Sequence, residues 1–275
     1  MGSDQLPLLS RKQLESLERE TTAGAELPPR SLMSAPETIL QFGTGNFLRG
    51  FVEDFVQLAN RSGDLSGRVV AVQRRPDHRS AAFTKQDGLY TLILRGIEAG
   101  RKVEVKRVIA SVSRLLISET HWDQVMSVAA NPMTSVILSN VTETGLALDP
   151  SDRPGLMPPR GFPGKLTQLL VARWQGASGR DADVAVIPCE LVENNGPLVR
   201  RLVLDQAQAW NIAGEFTNWV ETSVHFASTL VDRIVVGTPR PELLQSEWEA
   251  LGYRDEMIDC AEPFYLFALE ADSFT

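Results

Sequence analysis

Cysteine is scarce: the 275 residues hold two, Cys189 and Cys260, too few for a disulfide framework or a thiolate metal site. That scarcity suits a reducing cytoplasm, the expected location. The three histidines, His78, His121 and His225, have no triad or metal spacing and read as surface or packing residues, so no metal is expected. No apolar run approaches the ~20 residues of a membrane span, and Met1 to Arg30 lacks the apolar centre of a signal peptide. Basic excess is missing as well. A net charge of -8 and a pI near 5.1 argue against nucleic-acid or anionic-membrane partners. Internal repeats and low-complexity segments are also lacking. What remains, 43% hydrophobic and 23% charged, suits one large α/β domain or two smaller ones.

The most informative stretch is Ile39-Leu40-Gln41-Phe42-Gly43-Thr44-Gly45-Asn46-Phe47-Leu48-Arg49-Gly50. Thr38 to Phe42 reads as a short buried strand and Gly43-x-Gly45 as a tight turn. A helix follows over Asn46 to Asn60, with Phe47, Phe51 and Phe55 on one stripe. Strand, glycine turn and helix open a dinucleotide-binding unit, because glycines let backbone approach a pyrophosphate and free N–H groups hold its charge. A full fingerprint would carry a third glycine at position 48, where this chain has Leu48. On spacing alone, a cofactor turn and a purely structural turn are equally open.

Residues 1–33 form a polar extension with one short helix around Arg11 to Arg19. Residues 34–213 alternate strands and helices: strand Arg68 to Gln73, a hairpin after Asp87-Gly88, helix Thr120 to Ala130, and strand Ser135 to Ser139. Then come helix Gly164 to Trp174, strand Val184 to Ile187 and helix Pro197 to Trp210. The alternation predicts an α/β, Rossmann-like, doubly wound, mostly parallel sheet with an inserted hairpin. Residues 214–275 read as a helical segment around an apolar piece at Arg233 to Val236.

In such a sheet ligands sit at the carboxyl ends of the strands. The second strand ends Gln73-Arg74-Arg75, without the usual ribose-binding carboxylate until Asp77. It is either an exposed basic turn or a place where Gln73 meets the ribose and Arg74 an adenosine phosphate. Ser139, Asn140, Thr142 and Glu143 follow a buried strand, and Glu193-Asn194-Asn195-Gly196 follows another; both are also ordinary turn compositions. Cys189 has nothing nearby to lower its pKa and reads as a buried thiol.

The residues together resemble a known family. Ile39 to Arg49 is similar to the opening of the tagaturonate reductases, or altronate oxidoreductases, within the mannitol dehydrogenase family. Gln86 to Tyr90, Ser139 to Gly145, Pro163 to Thr167, Pro188 to Gly196, Ser228 to Ile234 and Ala261 to Phe267 agree in order. The resemblance implies NAD-linked reduction of a keto sugar acid without metal, with NADP left open by Gln73 and Arg74. It implies that Gly43 and Gly45 lie under the pyrophosphate, with Asn46, Phe47 and Arg49 at the helix start. Ser139, Asn140, Thr142 and Glu143 would border the nicotinamide, and Asn195 would help hold the reacting carbonyl oxygen. Asp232 and Arg233 are expected as a structural ion pair.

The family's proton donor is a lysine in a Lys-x4-Asn-x2-His pattern on a second, helical domain. None of the five lysines here, Lys12, Lys85, Lys102, Lys106 and Lys165, is followed by that pattern. The expectation is therefore a cofactor domain leading to an absent catalytic domain. An inactive cofactor-binding module, or another Rossmann-type enzyme such as a methyltransferase, are the alternatives. Phe264, Tyr265, Phe267 and Leu269 should then be partly exposed, open to association.

Overall fold

The computed structural model describes residues 6–19, 24–176, 183–212 and 214–271. After a short helix α1, Arg11–Leu17, the chain enters β1, Glu37–Phe42. Ile39 and Gln41 face one side of β1 while Leu40 and Phe42 face the other, so both faces are buried. The expected single helix after the glycine turn is two helices, α2, Asn46–Gly50, and α3, Val52–Ser62, broken at Phe51 with φ -128° and ψ -82°. The bend is closely packed. A Cβ on Gly50 would come within 2.8 Å of Val235 Cγ1, so a later strand presses on the backbone at this bend. The aromatic stripe nevertheless forms: Phe51 stacks on Phe47 at 4.9 Å and meets Phe55 edge-on at 4.8 Å.

Next come β2, Arg68–Gln73, and α4, His78–Lys85, a helix that hydrophobic periodicity alone does not separate from its surroundings. Its start is fixed by a capping box that the sequence reading missed: the Asp77 carboxylate accepts from Ser80 N at 2.8 Å and Ser80 Oγ accepts from Asp77 N at 2.9 Å. The inserted hairpin is β3, Tyr90–Glu98, and β4, Arg101–Ile109. Ala99 and Gly100, both at positive φ, make its two-residue turn. Then follow β5, Val112–Ile117, α5, Trp122–Ala130, β6, Val136–Ser139, and α6, Phe162–Gly176. After them come β7, Val184–Pro188, α7, Asn195–Ala209, α8, Gly214–Ser223, and β8, Val224–Phe226.

Six strands pair in parallel in the order β5-β2-β1-β6-β7-β8. Counting only these strands along the chain, the order is 3-2-1-4-5-6, that of a dinucleotide-binding sheet. The winding direction reverses between β1 and β6, which opens a crevice above Phe42 and Ser139. One apolar core lies under α5, α6, α7 and α8, and a second under α2, α3 and α4.

The C-terminal segment, expected as helical, carries α8 and one more helix, α9, Pro241–Leu251, together with several short strands. Besides β8 these are β9, Ser228–Asp232, β10, Val235–Gly237, β11, Asp259–Ala261, and β12, Leu266–Glu270. Pieces of three to five residues are too short for periodicity to distinguish. Strands β10 and β11 extend the hairpin into a four-stranded sheet, and β12 pairs antiparallel with β9. A third apolar cluster joins Leu9, Leu14, Leu17 and Leu32 of the N-terminal region to β3, β4 and Tyr253. Among the described residues no helix is long and apolar enough to cross a membrane.

Candidate functional site at the strand ends

The glycine turn sits at the crevice. Gly43 has φ +116°, and a Cβ there would meet Leu48 Cδ1 at 3.0 Å and Asn140 O at 3.1 Å. Glycine is thus required by backbone and neighbours. Gly45 differs: φ is -68° and nothing lies within 4 Å of where a Cβ would stand, so its surroundings leave space above the start of α2. The first N–H groups of α2 have no carbonyl one turn back, as in any helix.

Beneath the turn lies a buried polar knot. Gln41 Nε2 donates to Glu53 Oε1 at 2.8 Å and to Gly43 O at 3.0 Å, and Tyr90 OH donates to Glu53 Oε2 at 2.7 Å. Burial pushes the Glu53 carboxyl up, and burial with the Glu53 charge pushes the Tyr90 phenol well up. Arg49, 3% exposed, donates through Nη1 to Met257 O at 2.6 Å and through Nη2 to Asn46 Oδ1 at 2.8 Å. It also pairs with Asp259 at 3.4 Å. Burial raises Asp259 to about 6 although Arg49 pulls the other way. The guanidinium of Arg49 is therefore committed inward and braces the turn from below. Ile39, Leu40, Gln41, Phe42 and Leu48 also have buried side chains, while Phe47 and Asn46 are half-buried.

At the end of β2, Thr44 Oγ1 donates to Gln73 Oε1 at 3.0 Å, and Gln73 Nε2 donates to Arg75 O at 2.6 Å. The turn and the second strand are thereby joined. Arg74 is exposed, its Nε 3.5 Å from Glu119.

At the other side of the crevice, Asn140 N donates to Phe42 O at 3.0 Å and Asn140 Nδ2 to Cys189 O at 2.7 Å, tying β1, β6 and β7 together. Ser139 is buried, Thr142 is exposed with its hydroxyl 3.0 Å from that of Thr144, and Glu143 starts a short 3-10 turn. Glu190, which lies outside the expected site, is buried at the end of β7, where Oε1 accepts from Val141 N at 2.8 Å and burial raises its pKa. The signal was its place within Pro188 to Gly196. Burial also pushes the Cys189 thiol far up, in keeping with an unreactive thiol.

Asn195 is fully buried at the start of α7. Its Nδ2 faces Pro188 O at 3.1 Å, Glu190 O at 3.0 Å and Thr229 Oγ1 at 3.0 Å, and Oδ1 accepts from Thr229 N at 2.9 Å. The amide expected to face a carbonyl oxygen is a joint between β7, α7 and β9. Beside it a cleft of about 530 Å³ is lined by Glu190, Glu193, Asn194, Thr229, Leu230 and Leu269, a size suited to a small ligand. Leu191, Leu230 and Leu269 in its lining are exposed, and so are Phe264 and Tyr265 just before β12.

The expected Asp232–Arg233 pair does not form: Asp232, the last residue of β9, is exposed, while Arg233 just after it is buried. Arg233 turns inward, with Nη1 3.2 Å from Asp54 Oδ2 and donating to Gly50 O at 2.8 Å.

Residues 37–275 match the family described as the mannitol dehydrogenase Rossmann domain. The chain is 44% identical over 237 residues to an altronate oxidoreductase of Halalkalibacterium halodurans, covering 86% of this chain and 46% of that protein. It is 40% identical over 259 residues to one of Shigella flexneri, covering 94% and 52% respectively. The chain thus spans about half the length of the curated relatives it matches. A D-sorbitol dehydrogenase in substrate-free form aligns with a TM-score of 0.78 at 25% identity over 97% of this chain and 56% of that one. A Pseudomonas fluorescens mannitol 2-dehydrogenase, solved as a ternary complex with NAD and D-mannitol, gives 0.77 at 22% identity over 96% and 54%, a likeness of fold. The chain belongs to the mannitol dehydrogenase family, and residues 37–275 carry its Rossmann domain.

Proposed function

We propose that this domain holds NAD across the carboxyl ends of β1, β2, β6 and β7 for an oxidoreductase that reduces tagaturonate to altronate in the cytoplasm. The observation that carries the reading is Gly45. Neither its φ of -68° nor any neighbour demands glycine there, so the absent side chain is best explained by what must pass over it. A diphosphate beside the first N–H groups of α2 fits that space. Bound there, the cofactor supplies the hydride.

The chain's own residues do the holding. Gly43 lets the turn close on Asn140, Arg49 braces it, and Thr44 with Gln73 fixes the edge next to the ribose. Ser139, Asn140, Thr142 and Glu143 would border the nicotinamide half. The substrate, a keto sugar acid, would take the cleft beside Glu190 and Thr229. The sugar-acid assignment rests on the altronate oxidoreductase relatives, and the missing Lys-x4-Asn-x2-His pattern supports a proton donor supplied from outside residues 1–275. The exposed Phe264, Tyr265 and Leu269 are where such a partner domain would pack.

Two measurements test this. NADH titrated onto the purified chain should quench or enhance its fluorescence saturably. Gly45→Ala should weaken that binding tenfold or more, ~1.4 kcal/mol, with an unchanged urea midpoint. Following NADH absorbance with tagaturonate should show little or no turnover by the chain itself. Saturable binding unaffected by Gly45→Ala would sink the diphosphate assignment, and robust turnover would place the proton donor within residues 1–275.

A further inference from the structure

The cleft beside Asn195 carries charge of one sign. Its lining holds three carboxylates, Glu190, Glu193 and Glu270, and among the described residues no lysine, arginine or histidine. Arg233, which follows β9, turns away from it to Asp54 and Gly50. The neutral polar groups of the lining, Asn194, Ser228 and Thr229, are of the kind that pair with hydroxyls.

Glu190 gives an independent observation. It is 2% exposed, and Oε1 accepts from Val141 N at 2.8 Å, but among the described residues Oε2 accepts no hydrogen bond. Burial raises its pKa, although Val141 N and the nearby Ser139 hydroxyl favour the charged form. A buried oxygen without a donor is costly, and a hydroxyl brought to it offsets that cost.

We infer that this cleft takes the hydroxyl-bearing end of the substrate and repels its carboxylate, so that the charged end of the keto sugar acid faces the open side, toward a cation from outside the cleft. The inference rests on the function proposed above and adds an orientation to it. Magnitudes decide the sign. Glu193 and Glu270 are exposed at the rim. A like charge ~6 Å away through water costs roughly threefold in affinity, so the two together cost about tenfold. The start of α7, which follows Asn194, has the opposite sign, but a helix end amounts to only about half a charge. A hydroxyl meets no such repulsion and can donate to a carboxylate oxygen.

The test compares tagaturonate with tagatose, which has CH2OH in place of the carboxylate, on the full 275-residue chain with and without NADH. Dissociation constants are read by ligand-observed NMR titration at low salt and at about 1 M salt, where screening acts within ~3 Å. The double variant Glu193→Gln with Glu270→Gln is measured alongside, together with its urea midpoint. At low salt tagatose should bind about tenfold more tightly than tagaturonate. High salt and the double variant should each close that gap to about twofold or less. Tagaturonate binding as tightly as tagatose in the unmodified chain, or a gap that neither salt nor the double variant narrows, overturns the inference and leaves the dinucleotide reading standing. Failure of both sugars to bind while NADH binds overturns the placement of the substrate in this cleft and the inference with it. Failure of NADH to bind overturns the dinucleotide reading alone.

Discussion

The two sides of the crevice are built differently. At the glycine turn every supporting group comes from within the domain: Gln41, Arg49, Glu53, Tyr90 and Asp259 interlock below it, drawn from β1, α2, α3, β3 and β11. At the β7 side the polar groups are equally well held, by Asn195, but the surface beyond is apolar and open, with Leu191 74% and Leu230 60% exposed. A self-contained half is suited to a ligand that binds in much the same way across many enzymes. An apolar, open half is, on the function proposed above, where further protein would pack and where specificity for the substrate would be set.

That contrast can be broken most forcefully at Asn195. Asn195→Ala removes the partners of Thr229 N–H and of two buried carbonyls, groups worth ~1–3 kcal/mol each when left unsatisfied. A loss of about 3 kcal/mol in urea unfolding is expected, with NADH affinity changed far less than stability. A stable variant would mean that Asn195 is no joint and that its amide is free for substrate.

Gly43→Ala strikes the other side. A side chain at φ +116°, 3.0 Å from Leu48 and 3.1 Å from Asn140, should cost about 1–3 kcal/mol of stability and weaken NADH as well. The comparison with Gly45→Ala sharpens it, since there only binding should suffer. Equal stability losses in the two variants would erase the distinction between a structural and a ligand-facing glycine.

A smaller effect concerns Asp259. Burial raises its folded-state pKa to about 6 from the ordinary 3.8, so the folded protein holds this proton more tightly than the unfolded chain. Its contribution is fully present below pH 3.8 and is lost as pH rises through 6. Asp259→Asn should therefore remove a decline in stability between about pH 4 and 6, read as urea midpoints across that range against the unmodified chain. Parallel profiles would show that Arg49 keeps Asp259 ionised throughout.

The parallel sheet was legible because its central strands are continuous apolar runs, as in Arg68 to Gln73, and the hairpin because Asp87-Gly88 is followed by two strand-like runs. The glycine turn was legible as a strand-to-helix connection. Its inward bracing was not: Arg49 reads like any basic residue at a helix start, and only the placement of Met257 and Asp259, over two hundred residues later, turns it inside. The break at Phe51 was equally hidden, since it lies where Val235, far along the chain, packs against Gly50. Glu190 and Lys165 lay within the segments that carry the family resemblance, yet their burial depends on neighbours from other strands and loops. Local pattern shows which element forms, whereas long-range packing decides which way a charged side chain faces.

Arg233 closes the distance between the two sides. It follows β9, whose Thr229 bonds Asn195, and its guanidinium reaches Gly50 O and Asp54 at the bend just after the glycine turn, with Arg107 on the other Asp54 oxygen. Asp54 thus acts as a hinge pin shared by the hairpin and the β9–β10 corner. One planar guanidinium thus ties the end of β9 to the bend between α2 and α3. The two halves of the crevice are therefore anchored to one buried carboxylate rather than built independently.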